Sequence, residues 1–153
     1  MTNALSRRSL IFAFFSGVFA LFVAGACNRE ERPRCERCGM FVDAQPRWRA
    51  GAVAAGGRAV HFDAPRCLFA WLRSDAARGS EAPWVTEYYA QRRRPAAFLW
   101  YVAGSDVTGP MGPDLIPLDD EAAAQRFREE HRGTRVLRFD AIDAATLDAL
   151  DAR

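Results

Sequence analysis

The side chains with the most chemistry in this chain are sulfur donors in two loops. Cys35-Glu36-Arg37-Cys38-Gly39-Met40 puts two thiols and a thioether within a few residues, and Gly39 lets the backbone turn tightly between them. Soft sulfur donors select soft ions, so Cu(I) suits this set better than Mg, Ca or Mn. The same spacing also admits a Cys35–Cys38 disulfide, with Met40 packed in the core. Zinc normally takes four ligands, and there is no second C-x-x-C to supply them. A thioredoxin-like role needs the pair at a helix start within a β-α-β unit, whereas this pair follows a charged stretch and precedes Pro46. The second loop is Gly109-Pro110-Met111-Gly112-Pro113. A methionine between Gly and Pro on both sides is badly placed as core filler, because its neighbours neither pack nor propagate a strand. Cys35, Cys38, Met40 and Met111 would form one soft site if the fold brought the loops together. Cys67, and His61 within the alternating Val60-His61-Phe62, are further candidate ligands.

Composition removes several function classes. All 21 basic residues are Arg, and Arg7 and Arg8 account for the net charge of +2. Residues 27–153 are therefore charge-balanced, which leaves no electrostatic case for a nucleic-acid partner. A P-loop and a G-x-G-x-x-G fingerprint are absent, so nucleotide chemistry has no foothold. A nucleophilic Cys needs a basic partner, and the histidines are His61 and His131; no enzyme is expected. His131 ends a predicted helix, where a cation suits the dipole.

The elements that must position the sulfurs follow from pattern. Residues 1–26 combine Arg7-Arg8, an apolar run from Leu10 to Ala24 and a small-residue exit, which is a secretory signal. Ala24-Gly25-Ala26-Cys27 resembles a bacterial lipobox, with the Cys27 thiol taking the lipid and anchoring the protein to a membrane. Residues 27–37 are charged, lack an apolar period and are expected to be a tether. The domain, 38–153, divides into halves of about 38–92 and 95–153. In the first, strands at Arg47–Ala54 and Arg58–Phe62 flank the Gly56-Gly57 turn. A helix over Arg66–Arg78, ended by Gly79, and a strand at Trp84–Tyr89 complete it. In the second, a strand at Ala96–Ala103, a short strand at Leu115-Ile116, a helix capped by Asp119-Asp120 and a strand at Arg135–Phe139 repeat the order. A terminal helix occupies Asp143–Ala152. The expected fold is α+β, two β-β-α-β halves with small antiparallel sheets covered by helices.

Several motifs occur in a telling order. They are Cys38-Gly39-Met40, Trp100-Tyr101-Val102-Ala103-Gly104-Ser105, Gly109-Pro110-Met111-Gly112-Pro113 with Ile116-Pro117, and Phe127 with His131-Arg132-Gly133. Together they resemble the NosL family, accessory lipoproteins of nitrous oxide reductase, across residues 35–142. The resemblance implies a lipid-anchored Cu(I) carrier on the periplasmic side of the envelope, with Cys38, Met40 and Met111 as metal donors. It also implies delivery of copper to nitrous oxide reductase, or a related copper enzyme, through a copper-handling ABC transporter complex. Where many members have His-Tyr before the Cys-Gly-Met step, this chain has Glu36-Arg37 and an additional Cys35. Cys67 is a thiol the family does not generally require. The resemblance extends to part of the organomercurial lyase fold, whose two Cys and carboxylate Cys35, Cys38 and Asp63 could imitate. The competing reading is a structural or redox lipoprotein with a Cys35–Cys38 disulfide and no metal. From the lipobox, the mature chain is expected to start at an acylated Cys27 and to partition with membranes. Mass spectrometry of native material checks this; an intact leader or an unmodified Cys27 overturns it.

Overall fold

Two glycines at φ +83° and +82°, Gly56 and Gly57, reverse the chain between the first two strands. These are β1 (Ala50–Val53) and β2 (Ala59–Phe62), paired antiparallel with Gly51 opposite His61. The computed structural model describes residues 32–152; the expected leader and the expected lipidation site, Cys27, lie outside them. Alternation along β2 turns Val60 and Phe62 into the core and leaves His61 on the other face. Helix α1 (Pro65–Leu72) begins with Pro, whose missing N–H is no loss at a first helical position. It buries Cys67, Leu68, Phe69 and Trp71. Strand β3 (Glu81–Thr86) returns beside β1, and β4 (Arg93–Pro95) adds to its far side, giving the order β2-β1-β3-β4.

The second half repeats the plan. Strand β5 (Trp100–Ala103) is followed by a small hairpin, β6 (Thr108–Gly109) and β7 (Gly112–Pro113), then by β8 (Ile116–Leu118), α2 (Glu121–Glu130), β9 (Arg135–Arg138) and α3 (Ala144–Asp151). The sheet order is β8-β5-β9. In each half the first strand is central, with the second on one side and the strand after the helix on the other, all antiparallel. The duplicated α+β architecture read from periodicity is therefore present. Asp120 and Asp143 cap α2 and α3 by accepting from the N–H groups of Ala123 and Thr146. Among the described residues no helix is long and apolar enough to cross a membrane.

The halves share one core. The larger cluster combines Phe62, Leu68, Phe69 and Val85 of the first half with Leu99, Tyr101, Leu137 and Leu150 of the second. The Phe69 ring meets Tyr101 edge-on at 5.0 Å and Phe139 at 5.2 Å. A smaller cluster gathers Trp48, Val102, Ile116, Leu118, Ala124 and Phe127.

Several boundaries differ from expectation, each for a local reason. Helix α1 stops at Leu72 rather than Arg78, because the Ser74 hydroxyl donates to the Trp71 carbonyl and a 3-10 turn, Asp75–Ala77, follows. Strand β5 starts at Trp100 rather than Ala96. Pro95 precedes a 3-10 turn, Ala96–Phe98, whose first carbonyl is held by the buried Tyr101 hydroxyl at 2.7 Å. Strand β3 ends at Thr86, where the Glu87 carboxylate accepts from the Tyr89 and Ala90 N–H groups and closes a turn. Met111 lies at the tip of a hairpin rather than in irregular loop. Residues 32–37 are part of the folded body, not a tether. Cys35 is buried, the Val42 N–H bonds the Pro33 carbonyl, and the Arg32 and Arg34 guanidinium groups stack on Phe41 at 4.2 and 4.1 Å.

Because Phe69 joins both halves, Phe69→Ala should destabilise the protein by about 3–5 kcal/mol. Urea unfolding followed by circular dichroism and by tryptophan fluorescence should lose stability in one coincident transition. Two separated transitions would mean that the halves fold independently.

Candidate metal centre

The Cys35–Met40 segment is a closed loop. The Cys35 N–H donates to the Met40 carbonyl at 2.8 Å, and the Gly39 N–H to the Cys35 carbonyl at 2.9 Å, with Gly39 at φ +75°. An Arg34–Phe41 bridge closes its base, and the Arg34 guanidinium donates to the Gly39 carbonyl. Two contacts fasten this loop to the first half. The Glu36 N–H donates to the His61 carbonyl at 2.9 Å, and the Glu36 carboxylate takes two hydrogen bonds from Arg58. The loop is thereby bonded to β2, whose chain continues into Asp63 and then α1.

That attachment assembles the site. Cys35, Cys38, Asp63 and Cys67 each bring one ligand atom, all within 4.8 Å of one another. Cys35, Asp63 and Cys67 are buried and Cys38 is half-buried. Among the described residues Cys35, Cys38 and Cys67 are free thiols, with no Cys35–Cys38 disulfide. The Cys38 thiol donates to Asp63 Oδ1 at 3.3 Å, while Asp63 Oδ2 is buried and has no partner. A buried carboxylate oxygen left unpaired is costly, and a cation among these sulfurs would relieve it.

The thiols divide the protons unequally. A hydrogen bond from Cys67 outweighs burial at Cys35 and lowers its thiol from 9.0 to about 6. Donating to Cys35, with burial in addition, pushes the Cys67 thiol far up. Burial, partly offset by the Met40 N–H, pushes Cys38 up to about 11. Cys35 is therefore the sulfur that gives up its proton most readily, and a soft cation bound by all three displaces the protons that remain.

The candidate donors fare differently. Cys35 and Cys38 come together and Cys67 joins them. Met40 and Met111 are exposed thioethers, 39% and 42% accessible. The Met111 hairpin is nonetheless fastened to the metal centre's own helix. Asp114 is fully buried; its Oδ1 accepts from the Arg66 N–H at 2.9 Å and the Leu115 N–H at 2.8 Å. The Arg66 guanidinium donates to the Pro113 carbonyl at 3.1 Å and also pairs with Asp151 on α3. Gly109 makes room for this latch, since a Cβ there would lie 2.8 Å from Asp114 Oδ2. Burial pushes the Asp114 carboxyl up to about 7. The His61 side chain is outside the sulfur cluster and lines a cavity with Arg49, Trp84 and Arg93. Burial, then the charges of Arg49 and Arg93, lower its pKa and favour neutral imidazole. His131 caps α2, stacks on Phe127 at 4.2 Å and contacts Asp106. The sequence places Asp63 with Cys35 and Cys38 only as a lyase-like set, not as a metal ligand, and gives Arg66 and Asp114 no positioning role. The signal for Asp114 is faint, an Asp ending the Gly/Pro loop.

The family model described as NosL matches residues 27–147. The crystal structure of the copper chaperone NosL from Shewanella denitrificans is similar to this chain with a TM-score of 0.65. At 24% identity the match covers 73% of this chain and 90% of that one, and it shows a common fold. No curated protein sequence matches the chain at a significant level.

In the reduced, metal-free chain, ultraviolet thiolate absorbance should rise by one equivalent with a midpoint near pH 6. Cys35→Ala should abolish that step, and Cys67→Ala, which removes the donor, should move it to higher pH. The depressed value makes this thiol stabilising above 9.0, the ordinary value, and that contribution is lost as pH falls through about 6. One step of three equivalents near pH 9 would refute the shared-proton arrangement.

Proposed function

The chain belongs to the NosL family, and on that premise we propose that it is an extracytoplasmic Cu(I) carrier. The supporting observation is the gathering of three free thiols and a carboxylate within 4.8 Å. Thiolates favour the soft monovalent ion and low coordination numbers. Cys35 is the most acidic of the three thiols, so it receives the ion first; Cys38 and Cys67 complete the set as their protons leave. Asp63, which accepts the Cys38 proton's hydrogen bond, balances the cation's charge from beside it.

The two thioethers serve entry and exit. Met40 lies two residues from Cys38 and is exposed. Met111 sits on a hairpin latched to the first turn of the helix that carries Cys67. A partner reaching these neutral donors can add a ligand before a thiolate is lost, so copper passes without being free. Disturbing the Gly/Pro hairpin would open the site. Lipid on Cys27 would hold the carrier at a membrane on the periplasmic side, and the cargo would go to nitrous oxide reductase, or a related copper enzyme, through an ABC transporter complex. In this reading the chain binds and transfers an ion and catalyses no covalent change.

Competition against a chromogenic Cu(I) chelator, under anaerobic reducing conditions, tests the reading. The full-length chain should bind one Cu(I). Cys38→Ser should abolish tight binding, whereas Met111→Leu should keep the affinity and slow copper transfer to the chelator about tenfold, equivalent to about 1.4 kcal/mol of barrier, with the circular dichroism unchanged. Wild-type affinity in Cys38→Ser would mean that copper is held elsewhere.

A further inference from the structure

On the outer face of the four-stranded sheet lies a cavity of about 340 Å³ that the metal chemistry does not use. Its lining includes Arg49, His61, Trp84, Thr86, Gln91 and Arg93. Strand register explains why it exists. Gly51 on the central strand is opposite both His61 and Trp84, and a Cβ at 51 would meet the Trp84 ring at 2.7 Å. The ring therefore lies over bare backbone and forms an apolar floor. The Arg93 guanidinium stacks on that ring, 4.3 Å from its centroid. Beside Arg93 in the strand register, the Thr86 hydroxyl and N–H both hold the Arg49 carbonyl. The Glu87-capped turn holds Gln91 at φ +52° on the rim.

The charge of this cavity is uncompensated. No carboxylate lines it. Arg92 and Arg94, on either side of Arg93, are both paired with Asp119, yet among the described residues no ion pair engages Arg49 or Arg93. Asp43, whose carboxyl senses Arg49, is already taken by two hydrogen bonds from Arg32. Arg49 Nε and His61 Nδ1 are both buried without a hydrogen-bond partner. Arg Nε can only donate, so what is missing is an acceptor.

We propose that this cavity receives a carboxylate presented by a partner polypeptide, an Asp or Glu side chain or a chain end, docking beside the metal centre. A planar carboxylate fits the guanidinium fork with two parallel hydrogen bonds. The Trp84 ring suits the methylene stem that carries such a group. The position suits docking, because the His61 carbonyl is bonded to Glu36, next in sequence to Cys35. An occupant touching the His61 side chain would therefore rest on the same residue that holds the thiol loop. In a charge-balanced chain, one unpaired basic cavity supplies orientation where long-range attraction is weak.

The full-length chain in mild detergent tests this by tryptophan fluorescence, with Trp84→Phe assigning the signal. The probes are an acetylated Glu-Gly-Glu peptide, its Gln-Gly-Gln counterpart, succinate and inorganic phosphate. The Glu peptide should give a saturable change that added salt weakens, and the Gln peptide none. Arg93→Gln, at an exposed side chain, and Arg49→Lys, which keeps charge but loses the fork, should each weaken binding about tenfold. Cu(I) affinity should stay at the wild-type value in both, so failure here is separable from failure of the copper reading. Succinate or phosphate binding more tightly than the peptide, or variants that bind it like wild type, would overturn the proposal.

Discussion

Three thiols and a carboxylate crowded within 4.8 Å cannot all be ionised in a buried place, since each further charge meets both desolvation and repulsion. The protein meets this constraint by sharing protons. Cys67 donates to Cys35, and Cys38 donates to Asp63, so every sulfur has a defined role before any cation arrives. The remaining unpaired oxygen on Asp63 leaves the cluster electrostatically incomplete. Such a group is stable enough to fold around and still biased towards a soft positive ion.

Holding four such groups together demands support from more than one segment. The thiol loop is hung on the edge strand β2 through the Glu36–His61 bond, and β2 runs directly into Asp63 and the helix bearing Cys67. That helix is pressed by Phe69 against Tyr101 and Phe139 of the other half. Its first turn is gripped by Asp114, and Arg66 reaches both the Met111 hairpin and α3. The centre is built on the first half, but the second half sets its stiffness. Duplication therefore supplies a rigid frame on one side of the thiols and a small, separately latched hairpin on the other.

Charge is used locally throughout. A chain with arginine as its sole basic residue and a balanced body has little long-range field, so planar forks must find individual partners. Some find a carboxylate: Arg58 takes Glu36, Arg32 takes Asp43, and Arg92 and Arg94 share Asp119. Among the described residues Arg49 and Arg93 have no carboxylate partner, and the cavity they share with His61 of β2 links recognition to the metal centre through that strand.

Local pattern in the sequence was enough for the architecture and for pointing to soft sulfur donors. The Gly56-Gly57 turn, the alternation at Val60-His61-Phe62, the Asp caps and the two apolar strand-helix-strand repeats each act within a few residues. Periodicity and capping register such effects directly. The C-x-x-C-G-M step likewise announced soft donors, and Cys35 and Cys38 do lie together. Boundaries slipped where a side chain reached back to the backbone, as Ser74 and Tyr101 do, because those bonds depend on geometry that spacing does not carry. The packed structure alone decided that Cys67 and Asp63 meet the thiol loop as one cluster, and that the Met111 hairpin is latched through Asp114. Those outcomes rest on contacts between segments 25 to 48 residues apart. Which such segments meet is set by register and core packing across the whole chain, a property no local window contains.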